Sequence, residues 1–86
     1  MAHNKRRSES EVIFDLLSSA KTEVNKTKLM YKANMSYKHF KKYLDFLMGK
    51  DLIAVKNSNP KGELYYLTPK GKELLTCFNT LFEKLS

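Results

Sequence analysis

The chain has 86 residues, 42% of them hydrophobic and 29% charged, with 16 Lys and Arg against 9 Asp and Glu for a formal net charge of +7. This length supports one small core and excludes a binding domain joined to a separate sensor domain, while the basic balance favours a polyanionic partner, nucleic acid first, because a positive surface concentrates phosphate backbones around it. The single cysteine, Cys77, excludes an intrachain disulfide framework or a cysteine-based zinc cluster, and no apolar run is long enough to span a bilayer or to form the core of a secretory signal, so a soluble, cytoplasmic protein is expected.

Residues 1–7 lack apolar side chains of core type and carry Lys5, Arg6 and Arg7, the pattern of a flexible basic arm. From Ser8 the pattern changes. Ser8 and Glu11 have capping-box spacing, and Val12, Ile13, Leu16, Leu17 and Ala20 recur at helical spacing, which predicts a first helix from Ser8 to Ser19. Residues 21–24 form a polar connection able to contribute one extended pair to a sheet. A second helix opens at Asn25 or Thr27 and ends near Lys32. Asn34 then sits at a bend that calls for a left-handed residue, which Asn tolerates better than most. Ser36 follows as an N-cap whose hydroxyl is expected to accept from the next turn's amides.

A third helix is predicted from Ser36 to about Met48, with Phe40, Leu44 and Leu47 on one side and Tyr37, Tyr43 and Met48 flanking them. At about 100° per residue, Lys38 and Lys42 point away from that stripe, with Lys41 and Asp45 beside them. Gly49 is the expected C-terminal stop. Phe46 points away from the core stripe and needs a covering element, from the hairpin, the last helix or a partner. Leu52–Asn57 and Glu63–Leu67 read as strands joined by the turn-rich segment 58–62, with Lys61 at the tip. Thr68 caps a final helix with Pro69 at its first position, running toward Leu85.

Helix, helix, helix, strand, wing, strand, helix is the order of a winged helix-turn-helix, an α+β fold that is mainly α. Residues 8–67 form the domain, and residues 68–86 a C-terminal helix that completes the core and dimerises. Seven lysines fall between Lys21 and Lys42 against one acid, Glu23, so the charge excess lies on the arm and the helix-turn-helix. An α-helix fits the major groove of B-DNA, and the amino-terminal half of such a second helix approaches base edges. Ser36, Tyr37, Lys38, Lys41 and Lys42 are the candidates for that contact. Lys28 on the second helix, with Lys26 and Lys32 near it, is a candidate for phosphate. Lys56 and Lys61 place charge on the wing, over backbone or minor groove, and Arg6 and Arg7 could enter a minor groove as basic arms do. The plainer reading of each is a solvated face, a surface hairpin and a non-specific tail. With no Arg, Asn or Gln on the third helix, backbone contacts should dominate affinity and base selectivity should be modest.

In the last helix Gly71, Leu74, Phe78, Leu81 and Leu85 recur in steps of three and four, widened by Leu75 and Phe82. Part of that stripe covers the core. Leu74, Phe78, Leu81, Phe82 and Leu85 continue it beyond a small core, which predicts a homodimer through paired C-terminal helices. His3 and His39 have no acid or cysteine at ligand spacing, and the three glycines form no phosphate-binding loop. Cys77, among apolar neighbours, reads as an inert packing residue. The chain is therefore not expected to be an enzyme, and neither a metal nor a cofactor nor a small-molecule ligand is expected.

Ser10-Glu-Val-Ile-Phe-Asp-Leu-Leu17, Lys28-Leu-Met-Tyr-Lys-Ala-Asn-Met-Ser-Tyr-Lys38, Lys42-Tyr-Leu-Asp-Phe-Leu47 and Tyr66-Leu-Thr-Pro-Lys-Gly71 together resemble the archaeal winged helix-turn-helix family that includes small dimeric chromatin-associated proteins of crenarchaea. The resemblance covers nearly everything after the arm. It implies binding to double-stranded DNA and dimerisation by antiparallel pairing of the final helices. Ser36, Tyr37, Lys38, Lys41 and Lys42 would then face DNA, and Leu74, Phe78, Leu81 and Leu85 would form the seam. The final helix is shorter than in the chromatin-type members, which favours a local transcriptional regulator, associated with the nucleoid, over a chromosome-coating architectural protein. A winged-helix module that meets an acidic protein is the alternative of a different class. RNA binding is disfavoured for want of an aromatic platform on the basic face.

Overall fold

The computed structural model describes residues 7–86. Along them run α1 (Glu9–Ser19), α2 (Lys26–Lys32), α3 (Tyr37–Gly49), β1 (Ile53–Ser58), β2 (Gly62–Leu67) and α4 (Pro69–Leu85), the winged helix-turn-helix order. No helix among these residues is long and apolar enough to cross a membrane.

Local chemistry sets the helix starts. Ser8 Oγ accepts from the Glu11 amide at 3.2 Å, and Glu11 Oε1 accepts from the Ser8 amide at 2.9 Å, a complete capping box. Asn25, rather than Thr27, caps α2, its Oδ1 accepting from the Lys28 amide at 2.8 Å. Thr68 caps α4, with Pro69 following where an amide would have no helical partner. Ser36 departs from expectation. Its backbone opens α3, but its hydroxyl makes no capping bond and lies 3.2 Å from His39 Nδ1. The imidazole on the first turn offers a side-chain partner that competes with the amides.

Two helix ends are built alike. At the end of α2, Asn34 has φ 55°, its amide donates to Tyr31 O at 3.0 Å, and the Met35 amide donates to Met30 O at 3.3 Å. At the end of α3, Asp51 has φ 60°, its amide donates to Met48 O at 3.0 Å, and the Leu52 amide donates to Leu47 O at 2.9 Å. Both are Schellman arrangements, with the left-handed residue just past the helix cap. The expected stop at Gly49 is thus corrected: α3 includes Gly49, and Asp51 takes the positive φ. The reason is tertiary, since this ending carries both Leu47 and Leu52 into the core and Asp tolerates the left-handed region better than most residues.

β1 and β2 pair antiparallel from Ile53 opposite Leu67 to Ser58 opposite Gly62. Val24 joins as a one-residue third strand: its amide donates to Tyr65 O at 3.0 Å, and the Tyr65 amide donates back at 2.7 Å. The core gathers Leu16 and Leu17 from α1, Leu29 from α2, Phe40, Leu44 and Leu47 from α3, Ile53 and Leu67 from the hairpin and Leu75 from α4.

α4 is locked on at its first turn. The Thr68 amide donates to Leu52 O at 3.1 Å, and Thr68 Oγ1 donates to Asp51 O at 2.6 Å. A Cβ on Gly71 would lie 2.0 Å from the Leu52 carbonyl oxygen, so only glycine allows this approach. Farther along α4, Phe78 and Phe82 pack with Phe14 of α1 in edge-to-face contacts, at centroid distances of 6.1 and 5.0 Å. Cys77, expected to be a packing residue, is exposed instead, because α1 covers the neighbouring side of the helix.

Gly71→Ala is expected to cost about 1–3 kcal/mol through overpacking against backbone, read as a fall in Tm of roughly 5–20 °C for a domain of this size. Thermal unfolding followed by circular dichroism measures it, and an unchanged Tm would contradict the close approach.

Candidate nucleic-acid interface

The outer face of α3 is set by its inner one. Phe40, Leu44 and Leu47 are buried, which turns Lys38, Lys41, Lys42 and Asp45 outward, all of them exposed. Tyr37 stands at the first turn of the helix, 57% exposed. Lys42 Nζ lies 5.6 Å from the centre of the Tyr43 ring. Lys41 Nζ donates to Asp45 Oδ2 at 3.0 Å. That hydrogen bond, and then the nearby carboxylate charge, raise the Lys41 pKa above the ordinary lysine value. Among the described residues Lys38 and Lys42 are in no ion pair, nor are Lys28, Lys32 and Lys61.

Lys56 lies on β1 rather than at the hairpin tip, and Glu23 holds its ammonium at 2.5 Å, with the Tyr66 ring centre 5.9 Å away. Lys61 occupies the tip and is exposed. The two wing cations expected to act together are therefore in different situations, one neutralised and one free.

Arg7 requires correction. Expected on a flexible arm, it is fixed to the helix-turn-helix: its guanidinium donates to Asp15 Oδ2 at 2.6 Å, Ala33 O at 2.9 Å and Asn34 O at 2.9 Å. The fork of donors satisfies carbonyls left over at the C-terminus of α2, where a cation also suits the helix dipole, and ties them to α1. Arg7, Met35, Ser36, His39 and Tyr43 line a half-open cleft at the turn. Lys5 and Arg6 lie outside the described residues.

The C-terminal stripe divides. Phe78 and Phe82 stack on each other at 5.7 Å besides contacting Phe14, and Leu74 is half-buried. Leu81 and Leu85 are 51% and 73% exposed. Phe46, 48% exposed, is left half-covered over a groove formed with Ile13, Leu52, Leu74, Cys77 and Phe78.

Two features were not legible in the sequence. Glu23 as the partner of Lys56 depends on Val24 joining the sheet. Tyr31, 82% exposed on α2, had no special signal. Tyr37, 57% exposed, is the other strongly exposed tyrosine of the helix-turn-helix.

The chain belongs to the winged helix-turn-helix family, whose profile matches residues 6–86. It is 42% identical over 79 residues to the uncharacterized protein MJ0287 of Methanocaldococcus jannaschii, covering 91% of this chain and 76% of that one. It is similar to Sso10a-2, a DNA-binding protein from Sulfolobus solfataricus, at 32% identity and a TM-score of 0.75, covering 92% of this chain and 85% of that one. F93 from STIV, a winged-helix DNA-binding protein, shares the fold at a TM-score of 0.72 and 18% identity, with 95% of each chain covered.

Arg7→Ala is expected to cost about 1–2 kcal/mol, since its bonds are partly screened by solvent, and to speed amide exchange at Asn34 and Met35. Hydrogen exchange by mass spectrometry reads this out; unchanged protection at the turn would show that Arg7 does not hold it.

Proposed function

We propose that this protein binds double-stranded DNA as a homodimer and acts as a transcriptional regulator on the nucleoid, with α3 in the major groove and the hairpin on the flanking backbone or minor groove. The observation that carries this reading is the outer face of α3, where Lys38 and Lys42 stand exposed and, among the described residues, without ion-pair partners on the second helix of a helix-turn-helix. Lys28 and Lys61 add phosphate contacts, and Ser36 and Tyr37 lie at the end of α3 that approaches the bases. Lys41 and Lys56 contribute only after exchanging Asp45 and Glu23 for phosphate. Arg7 acts by holding the turn rather than by touching DNA. The DNA-binding protein Sso10a-2, similar over most of both chains, supports the same reading.

The homodimer rests on α4. Leu81 and Leu85 stand in water toward the end of the helix, one and two turns past Cys77, which lines the groove under Phe46. An apolar stripe of this kind is commonly covered by a partner, and pairing with a second α4 would cover it. Phe78 and Phe82, already packed on Phe14, would border the seam rather than fill it.

Titration of a mixed-sequence duplex by fluorescence anisotropy at several salt concentrations tests the DNA reading. Affinity should fall steeply with salt. Lys38→Ala with Lys42→Ala should weaken binding to many sequences and reduce the slope of log K against log salt by about 1.8, or about 0.9 for each phosphate that is no longer neutralised. No duplex binding at low salt would sink the reading in favour of an acidic protein partner. For the dimer, Leu81→Asp with Leu85→Asp should convert a dimer to a folded monomer in sedimentation velocity; a monomeric wild-type chain would sink that part alone.

A further inference from the structure

We propose that Asp45 is the base-selecting residue of α3, accepting a hydrogen bond from the exocyclic amine of cytosine in the major groove. The inference rests on the DNA reading of α3 and adds a sequence preference to it.

Asp45 is the only carboxylate on α3. It follows Lys41 and Lys42 by one helical turn and Lys38 by two, which puts it on the same side of the helix. Its side chain is 62% exposed. Fold stability gives little reason for it there. Its one ion pair among the described residues, to Lys41, joins side chains that are both more than half exposed, and Lys before the acid is the weaker order for such a pair on a helix. On a surface that meets phosphate backbone, a carboxylate is a liability, since it repels the polyanion and occupies an ammonium that could otherwise pair with it.

Base chemistry supplies a role. The lysines on this face are donors with no acceptor, whereas an ionised carboxylate only accepts. Guanine offers the acceptors O6 and N7 in the major groove, which suit lysine, and cytosine offers the N4 amine, which suits a carboxylate. Adenine also has an amine, but its N7 acceptor lies beside it and repels a negative oxygen. Lys41 and Asp45 thus present a donor and an acceptor four residues apart, about 6 Å along the axis. Against sequences without a cytosine in reach, Asp45 brings a carboxylate toward DNA with no base amine to meet it, so the residue discriminates both by attraction and by repulsion.

The test is selection from a randomised duplex library with the wild-type chain and with Asp45→Ala, alongside anisotropy on a mixed-sequence duplex; circular dichroism verifies that the variant is folded. The wild-type chain should enrich cytosine at one position of each half-site, with a preference of about fivefold or more. Asp45→Ala should lose that enrichment and bind the mixed duplex more tightly. Wild-type selection without a cytosine position, or the same preference in Asp45→Ala, would overturn the proposal. Tighter binding by the variant with its preference unchanged would likewise overturn it, leaving Asp45 as a charge that merely weakens binding. Failure of the wild-type chain to bind any duplex is seen before a variant is made and would overturn the DNA reading and this inference together.

Discussion

At the carbonyl of Leu52, α3, the hairpin and α4 are joined. The Schellman ending of α3 swings Leu52 into the core and aims its carbonyl at the start of α4, where the Thr68 amide donates to it. Thr68 Oγ1 reaches Asp51 O, and Gly71 lets the α4 backbone pass without a side chain between. Buried backbone carbonyls need partners, so this junction leaves little freedom in how α4 meets the hairpin. Because β1 begins at Ile53, the direction of the wing relative to α3 is decided at the same place. A change in this corner would re-aim the surfaces on both sides of it.

A second constraint acts at the other end of α3. Asn34 allows the chain to reverse in a left-handed residue, and Arg7 binds the carbonyls of Ala33 and Asn34 to Asp15. The angle at which α3 leaves α2 is therefore set by backbone geometry and by a charged clamp from outside the motif. The lysines of α3 owe their exposure to this frame: with Phe40, Leu44 and Leu47 committed to the core, the outer face has only one way to turn.

The positive surface is less uniform than the net charge suggests. Arg7, Lys41 and Lys56 are each matched by a carboxylate, from Asp15, Asp45 and Glu23. The Lys41 and Lys56 pairs are about half exposed, so they are weak and readily screened, and a phosphate could replace either acid. The surface thus combines free ammonium groups, which attract any polyanion, with paired ones that respond to what is near them.

Much of the fold could be read from residues close in sequence. Ser8 with Glu11, Asn34, and Thr68 with Pro69 specify their helix starts and turn through bonds that span only a few residues, and the stripe Phe40, Leu44, Leu47 fixes which way α3 faces. The extended pair at Val24 and the hairpin followed from strand composition and the turn-rich segment between. What failed depended on distant partners. Gly49 looked like the helix stop, yet Asp51 took the left-handed position because Leu52 had to reach the core and α4. Arg7 looked mobile, yet acceptors 26 and 27 residues away hold it. Cys77 shared an apolar neighbourhood in sequence, yet α1 packs on the neighbouring side of α4 and leaves it exposed. The sequence by itself determined the elements, their order and the basic face of α3, since local hydrogen bonding and periodicity encode them. Only the tertiary structure decided which cations are free and which are paired, because an ion pair depends on where two side chains meet in space.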